Sequence, residues 1–322
     1  MDVGIILDAR NPPGWRRPWP EVYGFALDVV AEAERLGISS VWLSEHHRFT
    51  DGYLSQPLTL AAAVAARTRS IRIGTGVLVA PFHHPVHLAE QATLVDILSG
   101  GRLDLGLGAG RRQREFELFG ADYARRYDLT DELIRRLREQ WADPAVLPAP
   151  VQGDIPLWLG YYGPKGARRA GRLGAGLLAL EPDILPPYLD GLREGGHDPS
   201  SARMKGTLAL YASDDPERDW PVVAKHWAYK TDSYAQHYAE GVGEPPPPVD
   251  PEAARAGGLG AHAQGIVCDT PERIAEQVLA ATRGLPAQEV IFWASFGAMP
   301  DELVMRHVQT IAAKVRPLLA MA

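Results

Sequence analysis

The chain has 322 residues, 46% of them hydrophobic, and 33 Lys and Arg stand against 40 Asp and Glu for a formal net charge of −7. That balance is ordinary for a globular protein, and with no basic stripe to track a phosphate backbone it excludes a nucleic-acid partner as an expectation. A single cysteine, Cys268, rules out an intramolecular disulfide framework, and no stretch reaches the ~20 apolar residues of a membrane span, so a cytoplasmic location is expected.

Strand-like and helix-like patterns alternate along the chain. Val3–Leu7 is a short apolar run bracketed by Asp2 and Asp8, which reads as a strand rather than a leader. A helical stretch, Pro20–Leu36, stops at Gly37, and Ser40–Leu43 forms the second strand. The Ala-rich segment Gln56–Arg67 predicts a helix and Ile71–Val79 a third strand. The helix Val86–Leu98 follows, terminated by Gly100-Gly101. Leu103–Leu107 is the fourth strand, and Thr130–Trp141 is helical. Strands five and six, Leu157–Leu159 and Leu177–Leu180, flank the helix Gly166–Leu173. Leu208–Tyr211 and Val290–Ala294 complete the set. Eight β-α units predict a single-domain (β/α)8 TIM barrel over residues 1–322.

One stretch, 212–263, breaks the rhythm. It carries an aromatic-rich helix (Trp220, Trp227, Tyr229, Tyr234, Tyr238), then Gly241–His262, where Pro245 to Pro248 and Gly257-Gly258 leave no room for a regular element. Because it leaves strand seven, this insertion is expected to lie over the C-terminal mouth of the barrel as a lid, mobile without ligand.

Glu45-His46-His47 comes directly after the second strand, at the end where barrels carry their chemistry. An imidazole there can orient or protonate an oxygen species without a permanent charge at neutral pH. Neighbours on an extended segment face opposite sides, so His46 reads as catalytic and His47 as a packing or gating residue. Glu45 reads as an orienting group. The five histidines 46, 47, 83, 84 and 87 allow a metal reading. A metal-dependent barrel hydrolase would want an acid at the end of strand eight, but that strand ends Trp293-Ala294-Ser295-Phe296, and no metal is expected. Gly106-Leu107-Gly108-Ala109-Gly110 fails the dinucleotide fingerprint, since Arg111 stands where the third glycine is needed.

An ordered set of blocks then comes into view. They are Glu45-His46-His47, Ile73-Gly74-Thr75-Gly76-Val77, His84-Pro85-Val86-His87-Leu88-Ala89-Glu90-Gln91, Asp96 to Arg102, Gly106 to Gly110, Phe119-Gly120, Pro156 to Gly160 and Asp269-Thr270-Pro271-Glu272. Together they resemble the bacterial luciferase-like monooxygenase family, densely to about residue 180 and again over 264–319. The resemblance implies a barrel that uses reduced FMN, with a sister branch using a deazaflavin coenzyme. It places His46 at the reactive edge of the flavin, and a non-proline cis peptide at Gly76–Val77, after Thr75, beneath the middle of the ring. It implies close approach of the ring at Gly108 and Gly110. The cofactor phosphate falls to Gly160, Tyr161, Tyr162, Gly163 and Lys165, with Arg125 or Arg126. Tyr161 and Tyr162 stand where the family often has a second glycine and a hydroxyl residue. Gly108 and Ala109 stand where luciferase has cysteine and arginine, which looks like the deazaflavin branch, whereas His83 to His87 looks like the FMN branch.

The implied activity is monooxygenation of a small organic substrate with reduced FMN and O2, the reductant coming from a separate flavin reductase. Deazaflavin-dependent hydride transfer and a non-catalytic flavin-binding protein are the alternatives. The resemblance also implies a homodimer built on the helices after strands two and three, where Ala61-Ala62-Ala63 and Ala65-Ala66 are small enough for close approach.

Overall fold

A computed structural model describes residues 1–256, 259 and 264–321. Eight parallel strands form its centre: β1 (Asp2–Leu7), β2 (Ser40–Leu43), β3 (Arg72–Thr75), β4 (Leu103–Gly108), β5 (Leu157–Leu159), β6 (Gly176–Leu178), β7 (Met204–Leu208) and β8 (Ala287–Trp293). Each pairs with the next in sequence, and β1 pairs with β8, Ile5 opposite Phe292, which closes the barrel. The (β/α)8 expectation therefore holds. The strands are buried on both faces, as the near-continuous apolar runs require.

Outside them lie α1 (Trp19–Arg35), α2 (Pro57–Arg67), α3 (Pro85–Ser99), α4 (Gln113–Phe119), α5 (Arg126–Ala142), α6 (Gly163–Arg172), α7 (Leu185–Glu194), α8 (Pro216–Ala239), α9 (Pro271–Thr282) and α10 (Asp301–Thr310). α3 stops where expected, because Gly100 takes the left-handed conformation, at φ 68°.

Two strand expectations need correction. The third strand does not run unbroken over Ile71–Val79. The peptide Gly76–Val77 is cis, and the chain resumes pairing only at Leu78–Val79, against Leu107 and Gly108. The seventh strand is not Leu208–Tyr211. The barrel uses Met204–Leu208, and Leu210–Ala212 leaves to pair in parallel with Val267–Asp269. Met204–Leu208 carries Lys205, Gly206 and Thr207 between its apolar ends, so hydropathy favours the apolar run Leu208–Tyr211 beside it.

The aromatic-rich segment is one 24-residue helix, α8, capped by Asp215, whose side chain accepts from the Arg218 amide. Within Gly241–His262, Glu252–Ala256 forms a short 3-10 helix, contrary to the expectation of no regular element. Gly257, Gly258 and residues 260–262 of that stretch, and residue 263 after it, lie outside the described residues. Among the described residues, no helix is long and apolar enough to cross a membrane.

Candidate active site

The C-terminal ends of the strands open into a cavity of about 540 Å³. Ser44, Glu45 and His46 reach it from β2, Gly76 and Val77 from β3, Gly108 to Arg111 from β4 and Gly160 to Tyr162 from β5. Ile291 and Trp293 of β8 complete the floor. The wall that faces β2 is α8, which contributes Lys230, Thr231, Tyr234, Ala235 and Tyr238.

His46 and His47 part company as neighbours on an extended segment should. The His46 ring stacks on Tyr53 with centroids 4.1 Å apart, and its Nε2 lies 3.2 Å from the Tyr234 hydroxyl. That hydroxyl donates to the Tyr53 hydroxyl at 2.9 Å, which also accepts from Ser44 at 2.8 Å. Burial, aided by the charge of Arg10, holds the imidazole pKa well below its usual 6.5, so the ring is neutral at physiological pH. The Arg10 guanidinium sits behind the aromatic wall, 3.8 Å from the Tyr53 ring centroid, and donates to Asp51 at 2.5 Å and Ser233 at 2.8 Å. Burial pushes the Tyr53 phenol up to about 12, so it stays protonated.

His47 turns away from the cavity. Its Nε2 lies 3.0 Å from Glu45 Oε1, and its ring packs edge-on against Phe119 at 4.6 Å. His83 meets the same carboxylate at 3.0 Å, and the Val79 amide donates to it at 2.6 Å. Burial works to raise the Glu45 pKa, but these hydrogen bonds outweigh it and hold the group below its ordinary 4.5. Glu45 therefore orients His47 and His83, and through Val79 it ties β2 to the chain beyond the cis bond. Arg112 fixes the segment from the other side, donating to the His47 carbonyl at 2.5 Å and to the His237 carbonyl of α8 at 2.9 Å.

The glycines at the ends of β4 and β5 line the cavity and also clear a neighbour within the barrel. A Cβ on Gly108 would come within 2.6 Å of Val77 Cγ2, and one on Gly160 within 2.9 Å of Val77 Cγ1. Both glycines make room for the Val77 side chain, which is wedged between them as a ledge on the cavity floor. Gly110 likewise clears Val79 and Phe116.

Thr75 does not line the cavity. Its hydroxyl donates to the Gly106 carbonyl at 2.7 Å and accepts from the Gly106 amide at 2.8 Å, locking β3 to β4. Gly163 and Lys165 also stay off the lining, because α6 begins at Gly163 and carries Lys165 to the outer surface. Arg126 is folded over Tyr123 and Tyr127, its centre 4.2 and 4.7 Å from their centroids, and donates to the Tyr123 carbonyl. Arg111 reaches the cavity instead, held 4.0 Å over the Tyr238 ring. Among the described residues, no group of three His, Cys, Asp or Glu is placed to hold a metal ion.

Tyr53, Tyr234, Lys230 and Arg111 are site residues that the sequence motifs did not single out. A signal existed for α8, since Lys230, Tyr234 and Tyr238 recur every fourth residue and so share one helix face.

Comparison with known proteins agrees with the barrel fold. The 4-hydroxyprotoasukamycin monooxygenase of Streptomyces nodosus subsp. asukaensis is 29% identical over 219 residues, covering 66% of this chain and 53% of that protein. The chain thus spans about half the length of that curated relative. Two solved structures share the fold over 99% of this chain. The oxygenating constituent of 3,6-diketocamphane monooxygenase from Pseudomonas putida, in complex with FMN, superposes with a TM-score of 0.77 at 19% identity over 98% of its chain. An F420-dependent secondary alcohol dehydrogenase with an F420–acetone adduct superposes with a TM-score of 0.74 at 21% identity over 99% of its chain. The sequence model of the luciferase-like monooxygenases matches residues 1–288, and the chain belongs to that family.

Proposed function

We propose that the protein is a flavin-dependent monooxygenase that oxidises a small organic substrate with reduced FMN and O2, the FMN being reduced by a separate flavin reductase. The observation that carries this reading is the neutral His46 in the cavity wall, backed by the Tyr234–Tyr53 pair. The residues present suit a flat, anionic cofactor. Val77 offers an apolar ledge for a ring, the 540 Å³ cavity accommodates an elongated ligand, and Arg111 supplies a cation at its edge. A reduced FMN held there would supply the two electrons by which one oxygen atom of O2 enters the substrate and the other leaves as water.

The protein's own residues do the rest. A neutral imidazole can hold or donate a proton at Nε2, and the Tyr234 hydroxyl fixes that edge of the ring. The aromatic wall of Phe49, Tyr53 and Tyr234 keeps water from this side of the site. We further propose that α8 covers the mouth as a lid, since it forms one wall of the cavity. A homodimer through α2 and α3 is also proposed, as Leu94 and Leu98 of α3 are about half exposed, at 54% and 50%.

A second reading is hydride transfer with a deazaflavin coenzyme. It is favoured by the Gly106 to Gly110 run and by the 28%-identical F420-dependent glucose-6-phosphate dehydrogenase of Amycolatopsis mediterranei (strain U-32). The two readings separate on turnover of a substrate panel. Oxygen-dependent product with reduced FMN supports the first, and anaerobic turnover with reduced deazaflavin alone replaces it with the second.

A further inference from the structure

Two lysines are buried among the described residues, and they differ in one respect. Lys205 of β7 is flanked by carboxylates, its Nζ 3.2 Å from Asp104 and 3.2 Å from Glu289. Lys230 of α8 is only 4% exposed and lines the cavity, and among the described residues it makes no hydrogen bond or ion pair. Its Nζ lies against aromatic faces, 3.6 Å from the centroid of Trp227 and 4.3 Å from that of Trp293. The two acids on the cavity wall are already engaged elsewhere. Glu45 is held by His47 and His83, and Glu115 accepts from the His47 amide at 2.8 Å.

A desolvated amine with no partner is costly, and burial pushes this one down from its ordinary 10.5 to about 7. Such an arrangement calls for an acceptor that arrives with the ligand. Lys230 also stands one helical turn before Tyr234, the residue hydrogen-bonded to His46, so a group held at Nζ would keep the rest of a ligand beside that imidazole.

Resting on the flavin reading, we propose that Lys230 anchors the substrate and that the substrate is a carboxylic acid with an apolar body. The carboxylate accepts from Lys230 Nζ, and the body packs against Ile291 and Trp293. The cofactor phosphate is a poorer occupant, because Lys230 lies among the aromatics beside β8, while Arg111 offers a cation at the end of β4.

The test uses the full chain loaded with FMN and two probes, 2-naphthoate and its methyl ester, titrated by calorimetry. Wild type should bind the acid at least tenfold more tightly than the ester. Lys230→Met should lose at least tenfold on the acid and under threefold on the ester, with Lys230→Gln as a second variant of the same length class. FMN and riboflavin affinities, read from flavin fluorescence, should be unchanged in both variants. Failure of the acid to bind wild type, equal affinity for acid and ester, or a preference that survives in the variants would overturn the proposal. Loss of FMN over riboflavin discrimination in Lys230→Met would overturn it too, by assigning the lysine to the cofactor phosphate. If wild type binds no flavin at all, the flavin reading falls, and the acid-to-ester ratio of the unloaded protein then decides the role of Lys230 separately.

Discussion

Replacing Lys230 by methionine should make the ligand-free protein more stable at neutral pH. Burial, reinforced by the charge of Arg10, lowers the amine from its ordinary 10.5 to about 7. Between those values the unfolded chain binds a proton that the folded chain does not. Stability therefore falls as pH drops from 10.5 toward 7 and stays at the lower level beneath that. At about 1.36 kcal/mol per pH unit, the penalty at pH 7 amounts to about 4 kcal/mol. The faces of Trp227 and Trp293 favour the protonated amine and offset ~1–2 kcal/mol of this. Methionine fills the space without charge or a need for partners, leaving a net gain of about 2–3 kcal/mol. For a chain of 322 residues that corresponds to a rise in Tm of roughly 3–4 °C. Scanning calorimetry of both proteins without ligand, at pH 7 and pH 10, measures it. The gain should shrink to under about 1 kcal/mol at pH 10, where the unfolded lysine is itself losing its proton. A variant less stable than wild type at pH 7, or a gain of the same size at both pH values, would refute the reasoning. The gain expected on removing Lys230 fits a residue kept for what it binds rather than for stability.

His46→Ala should fold and bind flavin but lose ~10²–10⁴-fold in kcat with saturating reduced cofactor, and a near wild-type kcat would remove the proton-handling role. Gly108→Ala should cost ~1–3 kcal/mol in denaturant unfolding, since its Cβ would meet Val77 at 2.6 Å. Adding Val77→Ala should recover part of that loss, and additive losses would contradict the wedge. Glu45→Gln should be destabilised by ~1–3 kcal/mol at pH 7. The depressed Glu45 pKa stabilises the fold above its ordinary 4.5, and that contribution is lost as pH falls through the folded value. Wild type and Glu45→Gln should therefore converge in acid unfolding midpoints, and a constant gap down to acid pH would disprove the link. Light scattering should give twice the 35.1 kDa chain mass, and Leu94→Asp should halve it. A wild-type monomer at micromolar concentration would sink the dimer.

Much of the barrel was legible in the sequence, because its signals are local. Short apolar runs at regular spacing, each followed by an amphipathic stretch and a turn, specify β-α units whatever lies opposite them. The same locality placed Glu45-His46-His47 at the exit of β2 and turned the two imidazoles to opposite sides. What the sequence could not fix was partnership in space. The neighbour of the His46 ring is Tyr234, 188 residues away on a helix whose register follows from packing against the barrel mouth. Gly108 and Gly160 also clear the Val77 side chain, a fact that needs three strand ends side by side. Lys230 shows the limit most plainly, since neither its burial nor its lack of an acceptor can be read from its neighbours in the chain. Both arise only when α8 lies over β8 and presents that amine to the cavity, because burial and hydrogen-bond satisfaction belong to the assembled fold and not to any segment of it.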